Sequence, residues 1–416
     1  MQLSRETPSG PRLATSPSYP PRRPAKTLSF PPAGTVRTTR NFVLMLVLLA
    51  LLLNTLATGP QLRGITFVSF FSFTGRQGSV PTIQEGPATI DTNGVYIRAA
   101  RLNDGSLIAG YTQTTPTHKI LLTSRSVDNG QTWTPHGEVF RADRTTHDCD
   151  NAFPMQLANG RILFAWRNHQ KNENGRYTYF RISVCFSDDN GVTFKYLSAV
   201  DERHMQGING LWEPYLRIDR SGNVQCYYSA ENGPPDQDGI MRISQDGGQT
   251  WGDRILVSGH GVASRDGMIG CAPTDDGSNL ICVFESTEVG HFTVSAVFSH
   301  DDGQTWGERR QIYTPRNGTG CDGKPIVAGA PQISNMQGTL VLSFMTNEDH
   351  DDCHGYDGGD MKVITSTDGG HTWSKSYIVG PAPAHWGGIF RLDRRHFLAL
   401  YSRDGHGALG QKVLLS

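Results

Sequence analysis

The sequence predicts an all-β fold, a six-bladed β-propeller, and three observations carry that expectation. Glycine and proline are abundant, at 47 and 23 of 416 residues, which favours many tight turns over long helices. An eight-residue pattern recurs five times along the chain. Upstream of each recurrence lies a pair of short alternating strands joined by a Gly-containing turn.

Residues 1–41 hold seven Lys or Arg against the single Glu6, a balance of +6, so the rest of the chain carries −7 of the net −1. This stretch is also rich in Pro, Ser and Thr, and a disordered basic tail is expected. An apolar helix comes next, at residues 42–57, where FVLMLVLLALLL contains no polar residue. It is short of the ~20 residues that span a bilayer. Arg37 and Arg40 just before it would hold the N-terminus in the cytoplasm. A type II signal anchor and a signal peptide cut near Thr55-Leu56-Ala57 both fit. Either one exports the residues downstream of it, to the secretory pathway or outside the cell, and membrane contact is limited to 42–57 when uncleaved. Residues 58–80 read as a stalk or linker.

Residues 81–416 form the expected propeller. The pattern Ser-x-Asp-x-Gly-x-Thr-Trp/Phe runs from Ser126 to Trp133, Ser187 to Phe194, Ser244 to Trp251, Ser299 to Trp306 and Ser366 to Trp373. Its Asp residues are spaced 61, 57, 55 and 67 apart. In such an Asp box the carboxylate accepts backbone N–H groups of its own turn and the glycine supplies a positive φ, so the role is structural. The strand pairs read VYIRAARL with SLIAGYTQ, NAFPMQL with RILFAWRN, EPYLRID with NVQCYYSAE, GMIGCAPT with SNLICVFES, and APQISN with TLVLSFMTN. A sixth pair, GIFRLD with HFLALYSRD, lacks a box. A third strand precedes each box and a fourth comes after it, which makes six four-stranded blades. The last blade runs out of chain at Ser416, so the segment from Pro81 to Asp91 should complete it and close the ring.

This topology sorts residues by face. First-strand starts and second-strand ends meet at one end of the axis, and the boxes lie at the other. The mouth so defined collects Arg98, Asp150, Asn151, Arg167, Asn168, His169, Trp212, Arg265, Asp266, Glu288 and Trp386 as candidate substrate-binding residues, around Glu213 and Glu285. A polar, aromatic mouth on a rigid ring suits a polysaccharide or oligosaccharide. Nucleic acid is not expected, because charged residues make up only 19% of the chain without a basic surface signature. No cofactor is expected, since the chain has no Gly-rich phosphate loop, and no Gly-x-Ser-x-Gly elbow suggests a serine nucleophile. The run from Asn347 to His354 matches no recognised metal-loop spacing and reads as a solvated rim loop, so no metal is expected. A monomer is expected. Cys271 and Cys282 flank the Asp276-Gly277 turn and could form a bridge or remain as facing thiols; Cys321 with Cys353 is a second candidate pair. The sequon Asn317-Gly318-Thr319 is compatible with export.

Glycoside hydrolysis needs two carboxyls across a pocket, one protonated and one ionised. Glu213 in LWEP and Glu285 in VFES come from adjacent blades and face each other, which makes them the candidate catalytic pair. Phe284 beside Glu285, and Glu288 three residues on, would raise a carboxyl pKa and suggest Glu285 as general acid/base. A cation at Arg98 or Arg265 would keep Glu213 ionised as nucleophile. The order of the two roles stays open at this level.

The boxes and the propeller resemble the sialidase superfamily. Within it, RLNDGSLIAGY, TYFRISVCFSDD, NGLWEPYLRI, YYSAEN, LICVFESTEVGHFTV and SFMTNED are similar to the fungal exo-α-1,5-L-arabinanases, over about 85–416. The resemblance implies a retaining enzyme that releases arabinobiose from the non-reducing end of arabinan, and it too puts the catalytic glutamates at Glu213 and Glu285. An exo-sialidase is the alternative, with Arg98, Arg167 and Arg265 as carboxylate clamps. The Arg-Ile-Pro usual in a sialidase first blade is here Arg98-Ala99-Ala100. A non-catalytic glycan-binding propeller is the second alternative.

Overall fold

The computed structural model describes residues 79–275, 277–320, 323–350 and 358–416. The basic tail, the apolar segment, nearly all of the stalk, Cys321 and Cys353 lie outside the described residues. β1 (Pro81–Ile83) and β2 (Ala88–Asp91) come first. Blade 1 is β3 (Gly94–Arg101), β4 (Leu107–Thr114), β5 (His118–Ser126) and β6 (Thr134–Asp143). Blade 2 is β7 (His147–Gln156), β8 (Ile162–Lys171), β9 (Tyr177–Ser187) and β10 (Lys195–His204). Blade 3 is β11 (Leu211–Ile218), β12 (Val224–Gly233), β13 (Asp236–Ser244) and β14 (Ile255–Ser258). Blade 4 is β15 (Gly267–Pro273), β16 (Leu280–Ser286), β17 (Thr293–Ser299) and β18 (Gly307–Tyr313). Blade 5 is β19 (Ala328–Asn335), β20 (Leu340–Thr346), β21 (Asp360–Ser366) and β22 (Tyr377–Gly380). Blade 6 holds β23 (Ala384–Arg391), β24 (His396–Arg403) and β25 (Gly407–Leu415), with β1 and β2 both paired antiparallel to β25. The described residues thus form an all-β, six-bladed propeller whose last sheet is completed by the segment at 81–91.

Each second strand is covered on both sides by neighbouring blades, and β20 is buried along its whole length. The apolar cores therefore lie between blades, as with Tyr228 against Leu163 and Ile182, or Phe284 against Met241 and Tyr227. Outer strands such as β18 are half exposed. At the far end of the blades the five repeated turns share one network. Asp189 accepts Ser187 Oγ at 2.7 Å, the N–H of Thr193 at 2.9 Å and Thr193 Oγ1 at 2.5 Å. The N–H of Gly191 donates to Ser187 Oγ at 2.8 Å, with the glycine at φ 88° where a Cβ would be strained. Cys271 and Cys282 form a disulfide across β15 and β16.

One irregularity recurs in every blade. Pairing between first and second strands slips between Val95 and Arg98, Asp150 and Phe153, and Trp212 and Tyr215. It slips again between Gly267 and Gly270, Gly329 and Gln332, and His385 and Gly388. Inside each slip one non-glycine residue has a left-handed backbone: Tyr96, Asn151, Glu213, Met268, Ala330 and Trp386. Such bulges re-aim side chains. Here they aim at the axis, since Tyr96, Met268, Ala330 and Trp386 pack in one cluster although they come from four different blades. The strain belongs to the ring as a whole, because all six blades share it.

Candidate active site

Glu213 occupies the bulge of blade 3, at φ 44°. It lies beside the bulge of blade 4, where the N–H of Met268 donates to Ser229 Oγ at 3.2 Å and pulls the Glu213 carboxyl slightly down. Glu285, near the end of β16, pairs in register with Gly267, and its Oε2 accepts the N–H of Ala330, the bulge residue of blade 5, at 2.8 Å. Glu285 therefore reaches into the bulge of the next blade. A Cβ at position 267 would lie 3.0 Å from Glu285 Oε1, so glycine leaves the carboxylate its room. Burial and the charge of Glu285 push the Glu213 carboxyl up to about 8, against the opposing pull of Arg167.

Blade 2 supplies the wall beside Glu213. Arg167 Nη2 lies 3.3 Å from Asp148 and 3.8 Å from Asp150, and its guanidinium sits 5.0 Å over the Trp212 ring. Asp150 also accepts Thr112 Oγ1 at 2.7 Å and pairs with Lys119 at 3.3 Å. Burial opposes ionisation of Asp148, but Arg167 and the Tyr177 hydroxyl, 2.6 Å away, hold it below the usual carboxylate range. Asn151 Oδ1 and Trp212 Nε1 are buried without a hydrogen-bond partner among the described residues.

Other expected mouth residues do different work. Asn168 is buried and donates to Ser183 Oγ at 3.3 Å. His169 is fully buried, edge-on to Trp212 and Phe180, and burial together with Arg167 pushes it down to about 3. It is therefore neutral, and its Nε2–H donates to the Leu211 carbonyl at 2.7 Å, which fixes the entry of the strand that carries Glu213. Arg265 donates to Glu231 and Gln237, each at 2.9 Å. Asp266 is buried in a bidentate pair with Arg309 at 2.6 and 2.9 Å. Glu288 turns to the same Arg309 at 2.8 Å. The like-charge argument for Glu285 thus has no support in the placement of Glu288, while burial raises the Glu213 carboxyl. Arg98 is buried, with Nη1 donating to the carbonyls of Ile97 and Trp386 and its guanidinium 4.2 Å from the Tyr96 ring. Trp386 packs with Tyr96, Met268, Ala330 and Met345 at the axis.

Tyr96 is the residue that sequence reasoning missed. Its hydroxyl feels both Arg98 and Glu213, and burial pushes it well above the usual phenol range. Aligning the six first strands on their bulges would have found it, because Tyr96 stands where blade 3 has Glu213.

These residues define a β-propeller with a carboxylate pair at its mouth. A family model for the BNR repeat-like domain matches residues 113–323, and the chain belongs to that family. A search of curated proteins finds no match. Among solved structures the chain is similar to the α-L-arabinofuranosidase of Fusarium graminearum in complex with an iminosugar inhibitor, at 18% identity and a TM-score of 0.58, covering 81% of this chain and 97% of that one. It is similar to the α-L-arabinanase of Penicillium chrysogenum complexed with arabinobiose, at 16% identity and a TM-score of 0.58, covering 81% and 98%. It is also similar to the NanB sialidase of Streptococcus pneumoniae, at 12% identity and a TM-score of 0.53, covering 81% and 70%. At such identities the likeness establishes the fold.

Proposed function

We propose that the protein is an exo-acting, retaining glycoside hydrolase that cleaves α-1,5-L-arabinan and releases arabinobiose. The observation that carries this reading is the pair of facing carboxyls, of which Glu213 keeps its proton at neutral pH while Glu285 accepts a backbone N–H, a hydrogen bond that suits a carboxylate. Glu213 is then the general acid/base and Glu285 the nucleophile, the reverse of the order suggested by local sequence. Glu213 protonates the departing glycosidic oxygen as Glu285 attacks the anomeric carbon, which gives a covalent arabinobiosyl-enzyme. Glu213 next takes a proton from water, whose oxygen displaces Glu285 and restores the original configuration.

The arginines favour a neutral sugar over a sialoside. Arg167 and Arg265 are already matched by Asp148, Asp150 and Glu231, and Arg98 is taken up by backbone carbonyls. Neither Arg167 nor Arg265 is left for bidentate recognition of a substrate carboxylate at the mouth, and Arg98 lines the other end of the axis. The buried, unpaired Asn151 Oδ1 and Trp212 Nε1 suit a hydroxyl-rich ligand, since an unmet buried polar group costs about 1–3 kcal/mol. The similarity to an arabinanase complexed with arabinobiose agrees with this reading. Incubation of the full chain with linear α-1,5-arabinan and, separately, with a sialoside should give arabinobiose and no free sialic acid. Release of sialic acid, or turnover of neither substrate, would refute the assignment.

A further inference from the structure

A cavity of about 1010 Å³ opens on the axis at the end opposite the glutamates. It is lined by the far ends of first strands and by the turns next to them, and it contains neither Glu213 nor Glu285. Two features set it apart from an ordinary propeller funnel.

The first is its charge. Arg98, Arg101 and Arg391 line it, with Asp275 as the acidic residue among the lining side chains. Arg101 donates to the Gly105 and Leu392 carbonyls and to Asn129. Arg391 donates to the Asn335 carbonyl, and Arg98 Nη2 is buried with no partner among the described residues. All three guanidinium groups are thus held by neutral acceptors, in contrast to Arg167 and Arg265 at the mouth, which face carboxylates. Asp275 is engaged by the Gly277 N–H and does not neutralise them.

The second feature is Gln332. It is 6% exposed, it lines the cavity, and its side-chain amide makes no hydrogen bond among the described residues. The amide lies across Gly270, where a Cβ would sit 3.0 Å from its Oε1. The neighbouring blade has therefore given up a side chain to make room for it. The amide atoms are not sealed off from the cavity, so a hydroxyl entering it can reach them. Phe153 and Tyr215, edge to face at 4.8 Å, supply an apolar wall beside it.

We propose that this cavity is a second binding site, for a sugar-sized organic anion. The guanidinium groups take the charged group, a carboxylate or a phosphate, the Gln332 amide takes a hydroxyl, and the aromatic wall takes the carbon skeleton. This proposal does not depend on the reaction at the mouth.

Isothermal titration of the full chain with galacturonate, glucose 6-phosphate, arabinose and inorganic phosphate tests it. Saturable binding is expected for at least one of the two sugar anions, with Kd of about 1 mM or tighter, and galacturonate against glucose 6-phosphate separates a carboxylate from a phosphate ligand. Gln332→Leu and Arg391→Ala should each weaken that binding about tenfold. Arg391 is exposed, so its variant should unfold at the wild-type temperature and remain informative should Gln332→Leu misfold. Glu213→Gln should leave the binding unchanged, which distinguishes this site from the mouth. The proposal is overturned if neither sugar anion binds saturably, if arabinose or inorganic phosphate binds as tightly as the better of them, or if Arg391→Ala binds like wild type.

Discussion

A proton on Glu213 at neutral pH has consequences for both activity and stability. As general acid it should support turnover up to about pH 8, where its carboxyl ionises, so kcat/KM should fall on an alkaline limb there, and the limb should vanish when the leaving group needs no protonation. Because the folded-state value stands above the ordinary 4.5, the associated stabilisation is complete below that pH and is lost as pH rises through about 8. Thermal unfolding should accordingly show Glu213→Gln gaining on wild type as pH rises from about 5 to about 8; parallel curves would mean that Glu213 ionises normally. Asp266 calls for the opposite kind of test. Its bidentate pair with Arg309 is buried, so Asp266→Ala should cost about 3–5 kcal/mol in denaturant unfolding, whereas a substrate-binding role would raise KM at unchanged stability. The residue types at the mouth were legible in the sequence because topology brings strand ends together. Their partners were not: Arg309, which occupies both Asp266 and Glu288, stands on the outer strand β18, and pairing at that distance in the chain leaves no local pattern.

At the scale of elements, strands and turns were the most legible part of the molecule, since period-two patterning and the repeated Ser-x-Asp-x-Gly-x-Thr turn are local signals. The turn carboxylates are held low by the hydrogen bonds they accept from their own loop, Asp246 and Asp368 reaching about 2. Their contribution is present above the ordinary carboxylate value and is lost as pH falls toward about 2. Asp189→Ala removes the acceptor of Ser187 and Thr193, and it should lower stability by about 1–2 kcal/mol while leaving kcat/KM untouched, because the turn lies at the far end of the blade. Loss of activity at constant stability would give these aspartates a role beyond the turn. The first-strand bulge was not legible. It shifts Tyr96, Asn151 and Glu213 out of the alternation a regular strand would impose, and no residue type is common to all six of its sequences, from Tyr96-Ile97 to Trp386-Gly387.

For the whole molecule, ring closure decides whether the mouth exists at all. β1 and β2 supply the outer pairing of β25, with Pro81 opposite Leu415 and Ala88 opposite Gly410. Deleting residues 81–91 should lower the unfolding temperature of the entire propeller in one cooperative transition, because an open ring leaves a strand edge unpaired; unchanged unfolding would show that closure lies elsewhere. The six-fold architecture could be read from the five boxes together with the six strand pairs, while the proposed order of the catalytic roles could not, because the burial that raises Glu213 exists only in the assembled ring. Azide rescue with an arabinoside bearing an activated leaving group measures that order directly. Glu213→Ala should recover turnover and yield an arabinosyl azide of retained configuration, formed by attack on the intermediate held by Glu285, while Glu285→Ala should yield azide only with inversion. Retained azide from Glu285→Ala with inverted azide from Glu213→Ala would contradict the assigned order, and near-normal hydrolysis of arabinan by either variant would contradict the catalytic pair itself.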